Sequence, residues 1–152
     1  MIIRNALIND INEILEIEKN SFDWLDIFPK SLFFYYLKKY SDNFYVVLDK
    51  SESIIGYAIL VEKNENGYLL SIAVHPKNRN RGIAAFLMEF LENKCKEKGY
   101  NKLILDVRMD NKNAIKVYKK LGLIKVGIKL GYYGDGENAL MMEKILNQSK
   151  ND

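Results

Sequence analysis

The stretch from Tyr68 to Gly99 constrains this chain more than any other. It reads as a strand, Tyr68-Leu69-Leu70-Ser71-Ile72-Ala73-Val74, that turns at His75-Pro76 into the basic run Lys77-Asn78-Arg79-Asn80-Arg81-Gly82. An amphipathic helix follows and closes at Gly99. A strand, a glycine-containing basic turn and a helix together offer backbone N–H groups to an anion. The first-turn donors have no intrahelical acceptor, and the helix dipole adds partial positive charge there. Gly82 removes the side chain that would keep a phosphate oxygen off the backbone. Arg79 and Arg81 add donors whose fork matches phosphate geometry. The turn lacks the Gly-Lys-Ser/Thr ending of a P-loop and has no G-x-G-x-x-G, so nucleotide-hydrolase and dinucleotide-binding readings fall away.

The rest of the chain arranges itself on either side. Met1 to Ala6 reads as a short strand. Asn9-Asp10 opens a helix, with Asp10 and Glu13 spaced as a capping box and Ile11, Ile14, Leu15 and Glu18 on one stripe. Asn20 to Pro29 breaks the period and carries Phe22, Trp24 and Phe28, a composition suited to lining a pocket or anchoring a mobile segment. A second helix follows Pro29 with Leu32, Phe33, Tyr36 and Leu37 on its apolar side. Phe44–Leu48, Ile54–Val61 and the central strand form an antiparallel meander joined by short polar turns.

After Gly99, Lys102 to Arg108 is a strand, and the crossover helix before it makes it parallel to the central one. Asn111 or Asp110 caps a short helix bearing Ala114, Val117, Tyr118 and Leu121, ended by Gly122. Leu123–Leu130 and Asn138–Ile145 form a closing hairpin around Gly131–Glu137, and Gln148–Asp152 is a polar tail. The expected architecture is α/β: a mixed, mostly antiparallel sheet with two central parallel strands that splay apart, and helices on both faces. A chain of 152 residues is read as one domain, 1–152, large enough to bury a core without staples.

Composition narrows the function class. One cysteine excludes a disulfide framework, and no cluster has metal-ligand spacing, so no metal is expected. Cys95 lies on the buried stripe of its helix and reads as an inert core thiol. No apolar run is long enough to span a bilayer and no signal segment is visible, which points to a cytoplasmic protein without a membrane partner. The net charge of +3 is too mild to argue for nucleic acid and suits a small anionic ligand.

Arg79-Asn80-Arg81-Gly82-Ile83-Ala84 fits R/Q-x-x-G-x-G/A, and it follows a strand ending Val-His-Pro and opens a helix. In that context it resembles the acyl-CoA diphosphate loop of the GNAT (GCN5-related N-acetyltransferase) superfamily. The segment Leu105-Asp106-Val107-Arg108-Met109-Asp110-Asn111, with Ala114-Ile115 and Val117-Tyr118-Lys119-Lys120-Leu121-Gly122-Leu123, is similar to the L-E-V-R-x-S-N-x-x-A-I-x-L-Y-x-x-L-G-F segment of RimI-type N-terminal acetyltransferases. Gly131-Tyr132-Tyr133 through Met142 resembles that group's N-Y-Y…D-A-x-x-M hairpin. The resemblance covers nearly the whole chain.

It implies acetyl-CoA as cosubstrate and a protein or peptide N-terminus as acceptor. Ile72, Ala73 and Val74 would pair their backbone with the pantetheine arm. Arg79 and the backbone of Asn80, Arg81, Gly82, Ile83, Ala84 and Ala85 would hold the diphosphate, and Asn111 would hydrogen-bond the cofactor. Tyr118 would act as general acid toward the departing thiolate. Tyr132 and Tyr133 would flank the incoming peptide opposite Phe22, Asp26 and Phe28.

The general base is the open position. RimI-type enzymes carry Glu where this chain has Asp106, one methylene shorter, so that Asp106 reaches an amine directly or through a water. An ordinary aspartate and an α-amine differ by roughly four pKa units, about 5 kcal/mol, so a water relay or a shift by burial is required. His75, the one histidine, is a rival base with a structural alternative at its turn. Two other functions stay open on sequence: a GNAT enzyme acting on a small-molecule amine or a lysine side chain, and an acyl-CoA-binding regulatory module without turnover. The oligomeric state, monomer or weak dimer, is not specified by the sequence.

Overall fold

The computed structural model describes residues 1–21 and 27–146. Phe22 and Asp26, expected to meet the acceptor, and the polar tail at 148–152 lie outside the described residues. In chain order the elements are β1 (Ile2–Asn5), α1 (Ile11–Ser21), α2 (Lys30–Lys39), β2 (Phe44–Leu48), β3 (Ile54–Lys63), β4 (Asn66–Val74), α3 (Ile83–Glu97), β5 (Lys102–Arg108), α4 (Lys112–Lys120), β6 (Ile124–Lys129) and β7 (Ala139–Ile145). Short 3-10 turns occupy Ile8–Asp10, Ser41–Asn43 and Pro76–Asn78.

The strands form one mixed sheet in the order β1-β2-β3-β4-β5-β7-β6. Four pairings, β1 with β2, β2 with β3, β5 with β7 and β6 with β7, are antiparallel. The parallel pair is β4 with β5, and its register is short, Gly67 with Leu103 to Leu69 with Leu105. The β3–β4 connection is tighter than the sequence suggests. Only Asn64 and Glu65 separate the strands, both at positive φ (53° and 64°), the conformation of a type I′ hairpin.

Packing divides the chain into two compact units, Met1–Leu60 with Leu70–Leu87, and Val61–Leu69 with Met88–Asp152. In the first, Ile11, Ile14 and Ile17 of α1 are buried. They belong to the same core as an aromatic cluster in which the Phe33 ring stands 5.7 Å from Tyr57 at 87° and 6.2 Å from Phe44. Rings buried this fully contribute on the order of 1.5–3 kcal/mol each.

The expected Asp10–Glu13 capping box does not form. A 3-10 turn precedes α1, so Asp10 Oδ2 instead accepts from the Leu7 N–H at 2.7 Å while Arg4 forks onto both carboxylate oxygens at 2.7 and 3.0 Å. Burial pushes the Asp10 carboxyl up, but the Arg4 fork and the Leu7 N–H together outweigh it and hold it below its ordinary range. Glu13 is drawn away to the Ile54 N–H at 3.2 Å.

In the second unit β5 alternates as a half-buried strand should: Leu103, Leu105 and Val107 are buried, while Asp106 and Arg108 point to the opposite face. Leu140 and Met142 of β7 and Leu91 and Cys95 of α3 complete this core. Burial pushes the Cys95 thiol up to about 12, which keeps it protonated and unreactive. Lys144 ties β7 to Glu92 at 2.7 Å and to the Leu121 carbonyl at 2.8 Å.

Candidate active site

The turn from Arg79 to Gly82 lies in the first unit. Asn80 and Gly82 both have positive φ, 63° and 76°, which turns successive N–H groups toward one side. Among the described residues no backbone acceptor meets the N–H of residues 80 to 85, and the first bond of the turn is from the Phe86 N–H to the Gly82 carbonyl at 2.9 Å. A Cβ placed on Gly82 would meet nothing within 4 Å, so the space above it is open. Ile83 is buried and anchors the helix; Arg81 is exposed.

Arg79 is exposed like Arg81, but its guanidinium is engaged. Its Nε donates to the Val74 carbonyl at 3.2 Å and its Nη2 to Ser21 Oγ at 3.1 Å, so it braces the turn against the end of β4 and α1. Upstream, Ala73 and Val74 are buried and Ile72 is half-buried. The ideal Cβ of Gly56 would stand 3.1 Å from the Ala73 carbonyl, so glycine lets β3 and β4 close up at that point.

His75 has a structural task. Its Nδ1 accepts from the Lys77 N–H at 3.1 Å and caps the 3-10 turn at Pro76–Asn78. In a neutral imidazole that bond uses the acceptor nitrogen, which leaves no lone pair for an amine. Phe28 is also packed. Its ring lies 5.9 Å from Phe33 and 5.8 Å from Tyr36, and its N–H donates to Glu18 at 2.9 Å.

Asp106, Asn111, Tyr118, Tyr132 and Tyr133 lie in the second unit. The Asp106 side chain is only 6% exposed. Its Oδ2 accepts from Tyr68 Oη at 2.5 Å and from Lys129 Nζ at 2.9 Å, while Oδ1 has no partner among the described residues. No sealed side-chain oxygen or nitrogen among those residues lacks a partner, so Oδ1 reaches the surface. Burial first, then the bond to Asp106, raises the Tyr68 phenol above its ordinary value and fixes it as a donor.

Lys129 also stands 5.0 Å from the ring centroid of Tyr132, and Tyr132 meets Tyr133 edge-on at 5.1 Å. The Arg108 guanidinium lies 5.1 Å from the Tyr133 ring and pairs with Asp110 at 3.1 Å and Asp135 at 2.5 Å. One carboxylate oxygen is thus clamped at the root of a two-tyrosine hairpin that is held by two cations.

Tyr118 is buried in its ring and open at its tip. It is 7% exposed, its hydroxyl has no hydrogen bond among the described residues, and by the same reasoning it is not sealed. Burial pushes the phenol up to about 12. Asn111 is the residue that caps α4, with Oδ1 accepting from the Ala114 N–H at 3.1 Å. Its exposed Nδ2 has no partner among the described residues and stays available as a donor.

Tyr68, Lys129 and Glu18 were not singled out as site residues from the sequence. Tyr68 precedes the turn by a strand's length, and Lys129 is one of many lysines. A Glu on the apolar stripe of α1 was the one readable signal. No group of three or more His, Cys, Asp or Glu among the described residues could hold a metal ion. No helix there is long and apolar enough to cross a membrane.

Comparison with known proteins shows the family of the chain and the likeness of its fold. Residues 9–123 match the family model described as Acetyltransferase (GNAT) family. An N-alpha-acetyltransferase of Saccharolobus solfataricus is 33% identical over 158 aligned positions, covering 95% of this chain and 92% of its own. The N-terminal acetyltransferase B complex catalytic subunit NAA20 of Arabidopsis thaliana is 31% identical, covering 90% and 82%. Among solved structures, Ard1 from Thermoplasma volcanium superposes with a TM-score of 0.89 at 25% identity over 97% of this chain and 98% of its own.

Proposed function

The chain belongs to the GNAT acetyltransferase family, and we propose that it moves an acetyl group from acetyl-CoA to the α-amine of a protein or peptide N-terminus. The observation that carries the acceptor assignment is the relationship, over nearly the full length of the chain, to enzymes named for acetylating N-termini. The unpartnered N–H groups of the Asn80–Ala85 turn and the open space above Gly82 fit a diphosphate.

In this reading the residues divide the reaction as follows. The backbone of Ile72 to Val74 pairs with the pantetheine amides, and Arg79 keeps the turn in shape from behind. Arg81 supplies charge, and Asn111 donates through Nδ2. The neutral amine attacks the thioester carbon; a C–N bond forms and the C–S bond breaks. The amine proton leaves through Oδ1 of Asp106, directly or by one water, and Tyr118 returns a proton to sulfur.

A phenol pushed up to about 12 looks too weak an acid for a thiol of ordinary pKa. The burial that raises it also raises any thiolate beside it, so the match between the two is preserved. The acceptor needs little help from a base. Roughly a tenth of an α-amine is already neutral at pH 7, against well under a thousandth of a lysine side chain. A carboxylate with one oxygen held by Tyr68 and Lys129 suffices for that acceptor and does not suffice for a lysine. Tyr132 and Tyr133 flank the peptide.

The test is thiol release from acetyl-CoA with peptides bearing free N-termini, with the same peptides blocked at the N-terminus, and with spermidine. Release with the free peptides alone supports the proposal. Release with spermidine or with blocked, lysine-containing peptides assigns a small-amine or lysine acceptor instead. Tight acetyl-CoA binding with no transfer assigns a regulatory module.

A further inference from the structure

Glu18 is a buried carboxylate, 1% exposed, that the chemistry above does not use. Its Oε2 accepts from the Phe28 N–H at 2.9 Å, and its Oε1 accepts from the Tyr57 hydroxyl. Tyr57, itself fully buried, lies 2.8 Å from Ser71 Oγ. The single proton of Tyr57 goes to the carboxylate, so Ser71 is the donor in the last bond. One side chain of α1 therefore holds the backbone just ahead of α2, and through Tyr57 of β3 it holds the β4 residue next to Ile72.

Stability alone does not call for this arrangement. A buried carboxylate costs heavily in desolvation, and apolar side chains of similar size in place of both Glu18 and the Tyr57 hydroxyl would hold the core about as well. Burial raises both the Glu18 carboxyl and the Tyr57 phenol, and the donors from Phe28 and Tyr57 keep the carboxyl from rising further. What the polar group adds is a fixed position for the Phe28 backbone.

We propose that Glu18 is a positioning residue for the acceptor: by gripping the Phe28 N–H it sets the backbone at Phe28–Pro29, just ahead of α2, against the β3–β4 pair that carries the Ile72–Val74 edge. The proposal depends on the acceptor reading above in one respect, that Phe28 meets the peptide.

Three variants test it, with the Michaelis constant for the peptide, kcat, the acetyl-CoA dissociation constant and the urea midpoint measured for each. Glu18→Gln can still satisfy every partner, because its oxygen accepts from Phe28 while its amide donates to Tyr57 and Tyr57 turns to Ser71. It should stay within about threefold of the native peptide KM. Glu18→Met orphans the Phe28 N–H and should raise that KM about tenfold or more, with kcat and acetyl-CoA affinity within about twofold.

The double variant Glu18→Met/Tyr57→Phe removes the second orphan, so it should recover stability and remain folded even where Glu18→Met does not. Its KM defect should persist, since Phe28 is still unheld. A KM that returns with stability, or acetyl-CoA affinity that falls in step with peptide affinity, overturns the proposal and leaves Glu18 a fold residue. Failure of the acceptor reading itself would show as native protein that acetylates no N-terminal peptide. In that case amide exchange decides: protection of the Phe28 N–H should drop about tenfold or more in the double variant whatever the acceptor is, and unchanged protection overturns the grip.

Discussion

Lys129 sets its ammonium 2.9 Å from Oδ2 of Asp106 and leaves Oδ1 without a partner among the described residues. With Tyr68 on the same Oδ2, the carboxylate is held by one edge and offers the other. Asp106→Asn tests that division. The amide can keep its oxygen toward Lys129 and Tyr68, which places NH₂ where Oδ1 stood and removes the acceptor for the amine proton. We expect kcat/KM for the peptide to fall by about 10- to 100-fold with acetyl-CoA affinity unaltered. Native kcat/KM in this variant would remove Asp106 from the chemistry.

Tyr118→Phe isolates the proton returned to sulfur. The ring stays in place and the missing hydroxyl makes no hydrogen bond to the described residues, so binding should be unaffected. A drop in kcat of about two orders of magnitude is expected, with acetyl-CoA affinity within about twofold. Burial pushes this phenol up to about 12, so it stays protonated through the working range and should add no alkaline limb below about pH 10. Unchanged kcat in the variant would show that water supplies the proton.

Gly82→Val probes the turn. Nothing lies within 4 Å of the added Cβ, so the change produces no internal clash. It forces a β-branched residue to φ +76°, at a cost of about 1–2 kcal/mol, and fills the space above the N–H groups. Acetyl-CoA affinity should fall by about tenfold or more while urea unfolding shows the smaller strain. Calorimetric titration that returns the native dissociation constant would remove the diphosphate from this turn.

The sequence made the backbone of this site legible and hid much of its side-chain bracing. The R-x-x-G turn, the Asn111 cap and the buried position of Tyr118 follow from local pattern, because each is decided within a few residues of itself. Tyr68 meets Asp106 through the β4–β5 pairing, and Lys129 through the β6–β7 and β5–β7 pairings. Nothing near 68 or 129 signals that partnership. The local pattern makes Arg79 a phosphate donor, yet its guanidinium is engaged by Val74 and Ser21, a contact 58 residues apart in the latter case. The Asp10 cap was legible as to residue and misread as to partner, since the long-range choice lay with Arg4 and Ile54.

Alkaline unfolding gives a measure of Tyr118 that is independent of catalysis. Its phenol rises from an ordinary value near 10 to about 12 on folding, with burial as the cause. A folded state that holds its proton more tightly gains stability that is fully present below the unfolded pKa and is lost as pH climbs through the folded one. The window is therefore about pH 10 to 12. One proton released by the unfolded chain alone costs up to about 1.4 kcal/mol per pH unit in mid-window, and about 2 kcal/mol across it because release is partial at both ends. Tyr57 and Tyr68 are also raised, and the Cys95 thiol, pushed up to about 12, begins to contribute from about pH 9.

The native protein should thus lose stability steeply above pH 10. Tyr118→Phe should lose about 2 kcal/mol less by pH 11.5, while matching the native protein closely at pH 7.5, because no hydrogen bond to the described residues is removed. Urea titrations at four pH values between 7.5 and 11.5 read the difference directly. Parallel curves for the two proteins would mean that the phenol is as well solvated in the folded chain as in the unfolded one, and a Tyr118 hydroxyl in that environment would not have the buried footing assigned to it here.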